Sequence, residues 1–83
     1  MVGSIRMLAF AGAKDIIGKG ELELELSTAS TADQVLALVC ERHPGLVPYR
    51  ASLRIAINGA YASGGDSVHP GDEVALIPPV AGG

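Results

Sequence analysis

At 83 residues the chain has room for one domain around one hydrophobic core, and with 48% hydrophobic side chains it is no disordered polymer. A formal charge of −3, with six basic residues scattered along the chain, argues against a nucleic-acid partner. The single cysteine, Cys40, excludes an internal disulfide framework and any multi-thiolate metal site, and fits a reducing cytoplasm. No run approaches the roughly 18 apolar residues of a membrane span, and the N-terminus has no signal-peptide pattern.

The first element expected is a strand over Ser4 to Phe10, with Ile5, Met7 and Ala9 on one face. Gly12 to Gly20 reads as a loop punctuated by Gly12, Gly18 and Gly20. The strongest local signal follows in Glu21-Leu22-Glu23-Leu24-Glu25-Leu26. Strict alternation is the period of a half-buried strand with leucines inward; a helix would scatter the same leucines around its circumference.

Thr31-Ala32-Asp33-Gln34 has the form of a capping box. The helix it opens is expected to reach about His43, with Ala32, Val35, Leu36, Val39 and Cys40 on its apolar stripe, and to be the one main helix of the chain. Pro44 stops it by disfavouring helical geometry at His43. Leu53, Ile55 and Ile57 alternate into an Asn58-Gly59 hairpin turn, Tyr61 lies in a short return strand, and Pro70-Gly71-Asp72 turns the chain into a last strand with Val74 and Leu76 alternating. Five strands and one helix predict an α+β domain over residues 1–77, a single sheet covered on one face: the parts of a β-grasp. Residues 78–83 form a tail.

The body offers little obvious chemistry. Gly12 to Lys19 superficially resembles a phosphate-binding loop, but its glycines are one residue too far apart and Gly20 stands where a Ser or Thr is needed. His43 and His69 are the only histidines, and no Cys or His lies at ligand spacing, so no metal site is expected. Cys40, on the apolar stripe, reads as a small core residue rather than a reactive thiol. The tail is different. Pro78-Pro79 hold the chain extended, and Val80 and Ala81 lead to Gly82-Gly83, which without Cβ atoms fit a channel too narrow for side chains.

The segment Asp72-Glu73-Val74-Ala75-Leu76-Ile77-Pro78-Pro79-Val80-Ala81-Gly82-Gly83 resembles the C-terminal signature of the MoaD family, the small subunits of molybdopterin synthase. The resemblance extends to Phe10-Ala11 with Lys14-Asp15 and Gly18, and to Ala56-Ile57-Asn58-Gly59. It implies a ubiquitin-like β-grasp protein that binds no cofactor itself and carries sulfur as a thiocarboxylate on Gly83. An adenylating enzyme of the MoeB type would use ATP to activate the Gly83 carboxylate, and sulfur would then displace AMP. The charged tail (Pro78, Pro79, Val80, Ala81, Gly82) would enter a large subunit of the MoaE type, which supplies the catalytic side chains in a heterotetramer. The exposed sheet face and the base of the tail are the expected docking surface, with Phe10, Lys14, Leu76 and Ile77 as candidate contacts; Leu76 and Ile77 stand where family members often carry aromatic residues. Carriers for thiamine, cysteine or tRNA thiolation share the fold and the Gly-Gly end, though Pro78-Pro79 favours the first reading. A ubiquitin-like modifier joined to protein lysines and a plain interaction domain are the alternatives of other classes.

Overall fold

The computed structural model describes residues 3–78. Five strands build the main sheet: β1 (Ser4–Ala9), β2 (Glu21–Glu25), β4 (Arg54–Ile57), β5 (Ala60–Ala62) and β7 (Glu73–Ile77), in the order β2-β1-β7-β4-β5. β1 and β7 pair in parallel at the centre, and every other pairing is antiparallel. The helix α2 (Ala32–Arg42) supplies the crossing expected between the first hairpin and β4. A separate two-stranded ribbon joins β3 (Ser30–Thr31) to β6 (Ser67–Val68) beside the start of that helix. The architecture is a ubiquitin-like β-grasp.

The alternating patterns place the core where period-2 reading puts it. Ile5, Met7 and Ala9 of β1, Leu24 of β2, Ile55 of β4 and Val74 and Leu76 of β7 are buried on the inner face. Val35, Leu36, Val39 and Cys40 of α2 close over them, with Leu22 and Ile57 packed at the margin. Each fully buried aliphatic side chain is worth about 1.5–3 kcal/mol relative to exposure, so this one cluster dominates the stability. Cys40 is buried, and burial pushes its thiol above the usual range while Arg50 pulls weakly the other way. A core role, rather than thiolate chemistry, follows.

Local motifs fix the ends of the elements. The capping box is present in full: the Gln34 N–H donates to the Thr31 hydroxyl at 3.1 Å, and the Thr31 N–H donates to the Gln34 side chain at 2.9 Å. Asn58 (φ 51°) and Gly59 (φ 86°) adopt the two left-handed conformations that a tight hairpin turn demands. The Asn58 carboxamide then ties this turn to β7, accepting the Glu73 N–H at 2.9 Å and donating to Asp72 at 3.1 Å.

Two expectations are corrected. Residues 12–20 are not all loop: Ala11–Ile17 form a short helix, α1, with Ala13 buried and Ile17 partly so. Gly18 (φ 92°) ends it as a left-handed cap, its N–H donating to the Lys14 carbonyl at 2.8 Å. Nor is α2 the only helical element. After Pro44 the chain continues as a 3₁₀ segment, Pro44–Ser52, which buries Leu46 fully. Its i to i+3 turns tolerate Pro48 because they ask little of a continuous ladder.

Candidate functional site

The outer face of the sheet is where the chain can meet a partner. One row crosses all five strands: Tyr61, Ala56, Ala75, Leu8 and Glu21 stand opposite one another in register. Four of those five are apolar or aromatic, which a solvated sheet face does not need. The next row toward the tail contains Arg54 opposite Ile77. Phe10 joins that row because its N–H donates to the Leu76 carbonyl at 3.3 Å, prolonging the parallel ladder by one residue past β1. Leu8, Phe10, Ala56, Tyr61, Ala75 and Ile77 thereby line a shallow hollow of about 300 Å³.

Phe10 and Ile77 also form one wall of a second depression, a groove of about 750 Å³ between α1 and the 3₁₀ segment, with Ile16, Leu46, Tyr49 and Pro78 among its lining. Phe10 is 49% exposed, Tyr49 54% and Tyr61 67%. Exposed aromatic rings in two adjoining depressions make this a candidate contact surface. The left-handed backbone at Ala11 (φ 48°) turns the chain sharply after Phe10 and leaves its ring at the rim where hollow and groove meet.

Away from the tail, the face becomes charged. Arg6, opposite both Glu23 and Glu73, donates two bonds to the Glu21 carboxylate at 2.9 Å and lies 3.7 Å from Glu73. The bidentate bond to Arg6 holds the Glu21 carboxyl below its ordinary range and the Arg6 guanidinium above its own. At the Pro70-Gly71-Asp72 turn that leads into β7, the His69 N–H and the Asn58 carboxamide lower the Asp72 carboxyl in the same way. The outer face is thus divided: an apolar end at the tail and an ionic end at the turn.

Of the predicted contacts, the structure brings Phe10 and Ile77 together and separates the other two. Leu76 is a correction: it is fully buried among the core residues of the inner face, so it cannot touch a partner. The strand alternation that sends Val74 inward sends Leu76 with it. Lys14 is exposed on α1 but lines neither depression; its aliphatic stem lies along Gly20, 3.5 Å from where a Cβ there would stand. Leu8, Ala56, Tyr61 and Ala75 were missed, although Tyr61, a lone aromatic in a three-residue strand, was the available signal. Pro78 lines the groove, and Pro79, Val80, Ala81, Gly82 and Gly83 lie outside the described residues. No helix among the described residues is long and apolar enough to cross a membrane.

Relatives bear on what such a face serves. The ThiS family matches residues 7–83. The molybdopterin synthase sulfur carrier subunit of Aedes aegypti is 38% identical, over 95% of this chain and 88% of that protein. Among solved structures, small archaeal modifier protein 1 from Haloferax volcanii superposes with a TM-score of 0.84 at 27% identity, covering 98% of this chain and all of that one. A putative molybdopterin converting factor subunit 1 from Pyrococcus furiosus gives 0.83 at 27%, over 94% and 99%. Subunits 1 and 2 of the molybdopterin-converting factor from Helicobacter pylori, solved as a complex, give 0.65 at 20%, over 96% and 99%, a likeness of fold. The chain belongs to the ThiS family of ubiquitin-like sulfur carriers, alongside the sulfur carrier subunits of molybdopterin synthase.

Proposed function

We propose that this chain is the sulfur carrier subunit of a molybdopterin synthase and that Gly83 bears the sulfur. The observation that carries the reading is the reach of the family match, which runs from residue 7 through the Gly-Gly end to Gly83. The chemistry suits an α-carboxylate. With a pKa near about 3.5 it is ionised at neutral pH and can attack the α-phosphate of ATP, releasing pyrophosphate. A sulfur nucleophile then displaces AMP and leaves a thiocarboxylate, which supplies sulfur to the dithiolene of molybdopterin. The adenylation belongs to a MoeB-like enzyme that binds the ATP, and the catalytic side chains of sulfur transfer belong to a MoaE-like large subunit. This chain contributes the reacting terminus and the surface that docks it.

The apolar end of the outer face supports that division of labour. Phe10 and Ile77 line one groove with Pro78, so a protein that takes in the chain after β7 is expected to rest on them as well. A stable complex with the large subunit, burying at least about 1,200 Å² in total, is the expected consequence. The likeness to a small archaeal modifier protein favours one second reading, attachment of Gly83 to protein lysines.

Intact mass spectrometry tests both. After incubation with the activating enzyme, ATP and a sulfur donor, the native chain is expected to gain the mass difference between sulfur and oxygen at its terminus. A chain extended by one residue is expected to gain nothing, because an added residue moves the carboxylate by over about 3 Å, and about 1 Å can already cost a hundredfold in rate. Equal sulfuration of both chains, or sulfur on Cys40, overturns the proposal. Isopeptide adducts without a thiocarboxylate establish the second reading in its place.

A further inference from the structure

The outer face holds two arginines whose circumstances differ. Arg6 is consumed by Glu21 and Glu73. Arg54 has no carboxylate within 4 Å among the described residues, and its guanidinium lies over the Tyr61 ring, 5.5 Å from the centroid. We propose that Arg54, held on Tyr61, is the polar anchor of the docking face and pairs there with a carboxylate of the synthase's large subunit. The proposal rests on the docking reading above and specifies what the partner must present.

Three features of the fold carry it. The guanidinium lies over Tyr61, and Tyr61 lines the hollow together with Phe10 and Ile77, so a partner that fills the hollow meets the cation at its β5 edge. Covering it with apolar surface alone would strand a desolvated charge, so the partner must bring an acceptor. Asp33 lines the same cleft beside Arg54 and Tyr61, yet it makes no ion pair with Arg54. Its carboxylate is seated against Gly64, where a Cβ would collide with it. The charge of Arg54 therefore stays available to a partner.

Stacking on the aromatic ring also reduces the freedom that this long side chain must give up on binding. Arg and Tyr are the residue types most often found to dominate interfaces, and here they occur as a preformed pair on a 67% exposed ring. The acidic net charge of the chain does not describe this corner. A partner with a basic rim facing Glu23 and Glu25 and an acid facing Arg54 would dock in one orientation only.

Titration calorimetry with the full chain and its cognate large subunit tests the anchor. Arg54→Glu is expected to weaken the complex on the order of 10-fold or more, and Arg54→Lys by less, because lysine keeps the charge and loses the planar fork. Arg54→Gln should also flatten the dependence of affinity on salt. Arg6→Gln, a charge change at the paired site of the same face, should leave affinity within about 2-fold. Melting temperatures check that each variant folds, and Arg54→Gln decides the matter if reversed charge disturbs β4. Native affinity for both Arg54→Glu and Arg54→Gln, with binding lost in Phe10→Asp, overturns the anchor and leaves the docking face standing. Native affinity for Phe10→Asp as well overturns the docking face itself.

Discussion

Leu76 and Ile77 are consecutive residues of one strand and belong to two different surfaces. Leu76 is part of the inner face, where α2 and the 3₁₀ segment leave no accessible area, and Ile77 is part of the outer face, where the same sheet meets solvent. Both faces are apolar near the tail, but only the inner one is closed by this chain. The difference shows how a carrier of this size is made: one side of the sheet is closed by the core, and the other is left open.

That contrast is open to attack by substitution. Leu76→Ala should have the largest effect, a loss of about 3 kcal/mol from the lost transfer energy and the cavity left behind. For a domain of this length such a loss lowers the melting temperature by more than about 10 °C, readable by circular dichroism. Phe10→Ala should reverse the pattern. With half its ring already in water, it should cost about 1 kcal/mol or less in stability, yet weaken the large-subunit complex by roughly 10-fold, as an exposed aromatic anchor does. A Phe10 variant that melts as far below native as Leu76→Ala would break the distinction between the faces.

The smallest effect concerns acid. Glu21 and Asp72 have folded pKa values below their ordinary ones, so the unfolded chain binds more protons in the interval between. The stability they contribute is fully present above about pH 4.3 and is lost as pH falls through their folded values. Glu21 is exposed and Asp72 half-buried at the surface, so the loss should be slight and further reduced by salt. Arg6→Gln should remove the Glu21 part of the slope and leave the Asp72 part. A midpoint in urea that rises on acidification through this range would contradict the assignment.

Much of the core was legible because its signals are local. Alternation over six residues placed Leu22 and Leu24, a four-residue motif placed the start of α2, and Asn58-Gly59 placed a turn that only left-handed backbone can make. The short elements were not legible for the converse reason. α1 has seven residues, one of them Gly12, too few to show a helical period, and its C-terminal cap Gly18 looks like a loop residue without the turn before it. β3 and β6 have two residues each and exist only because they meet.

The candidate site divides along the same line. Phe10 and Ile77 were accessible through resemblance, but the hollow they join is assembled from four strands whose register no single segment encodes. The misplacement of Leu76 has a more specific cause. Its alternation with Val74 already assigned it to the core, and the family signature drew it to the surface because it sits beside Ile77. In a strand, adjacency along the chain means opposition in space.

The Asn58-Gly59 turn also sets a chemical clock. An Asn followed by Gly loses its amide nitrogen spontaneously when the glycine N–H attacks the side-chain carbonyl. Here that carboxamide is pinned at both ends, by the Glu73 N–H and by Asp72. Ageing of the molecule at this point would replace a donor facing Asp72 with a second carboxylate, and two like charges would then face each other at the entrance to β7. The hydrogen bonds that start the last strand therefore also protect it, and the durability of the protein in storage depends on how firmly they hold the Asn58 side chain.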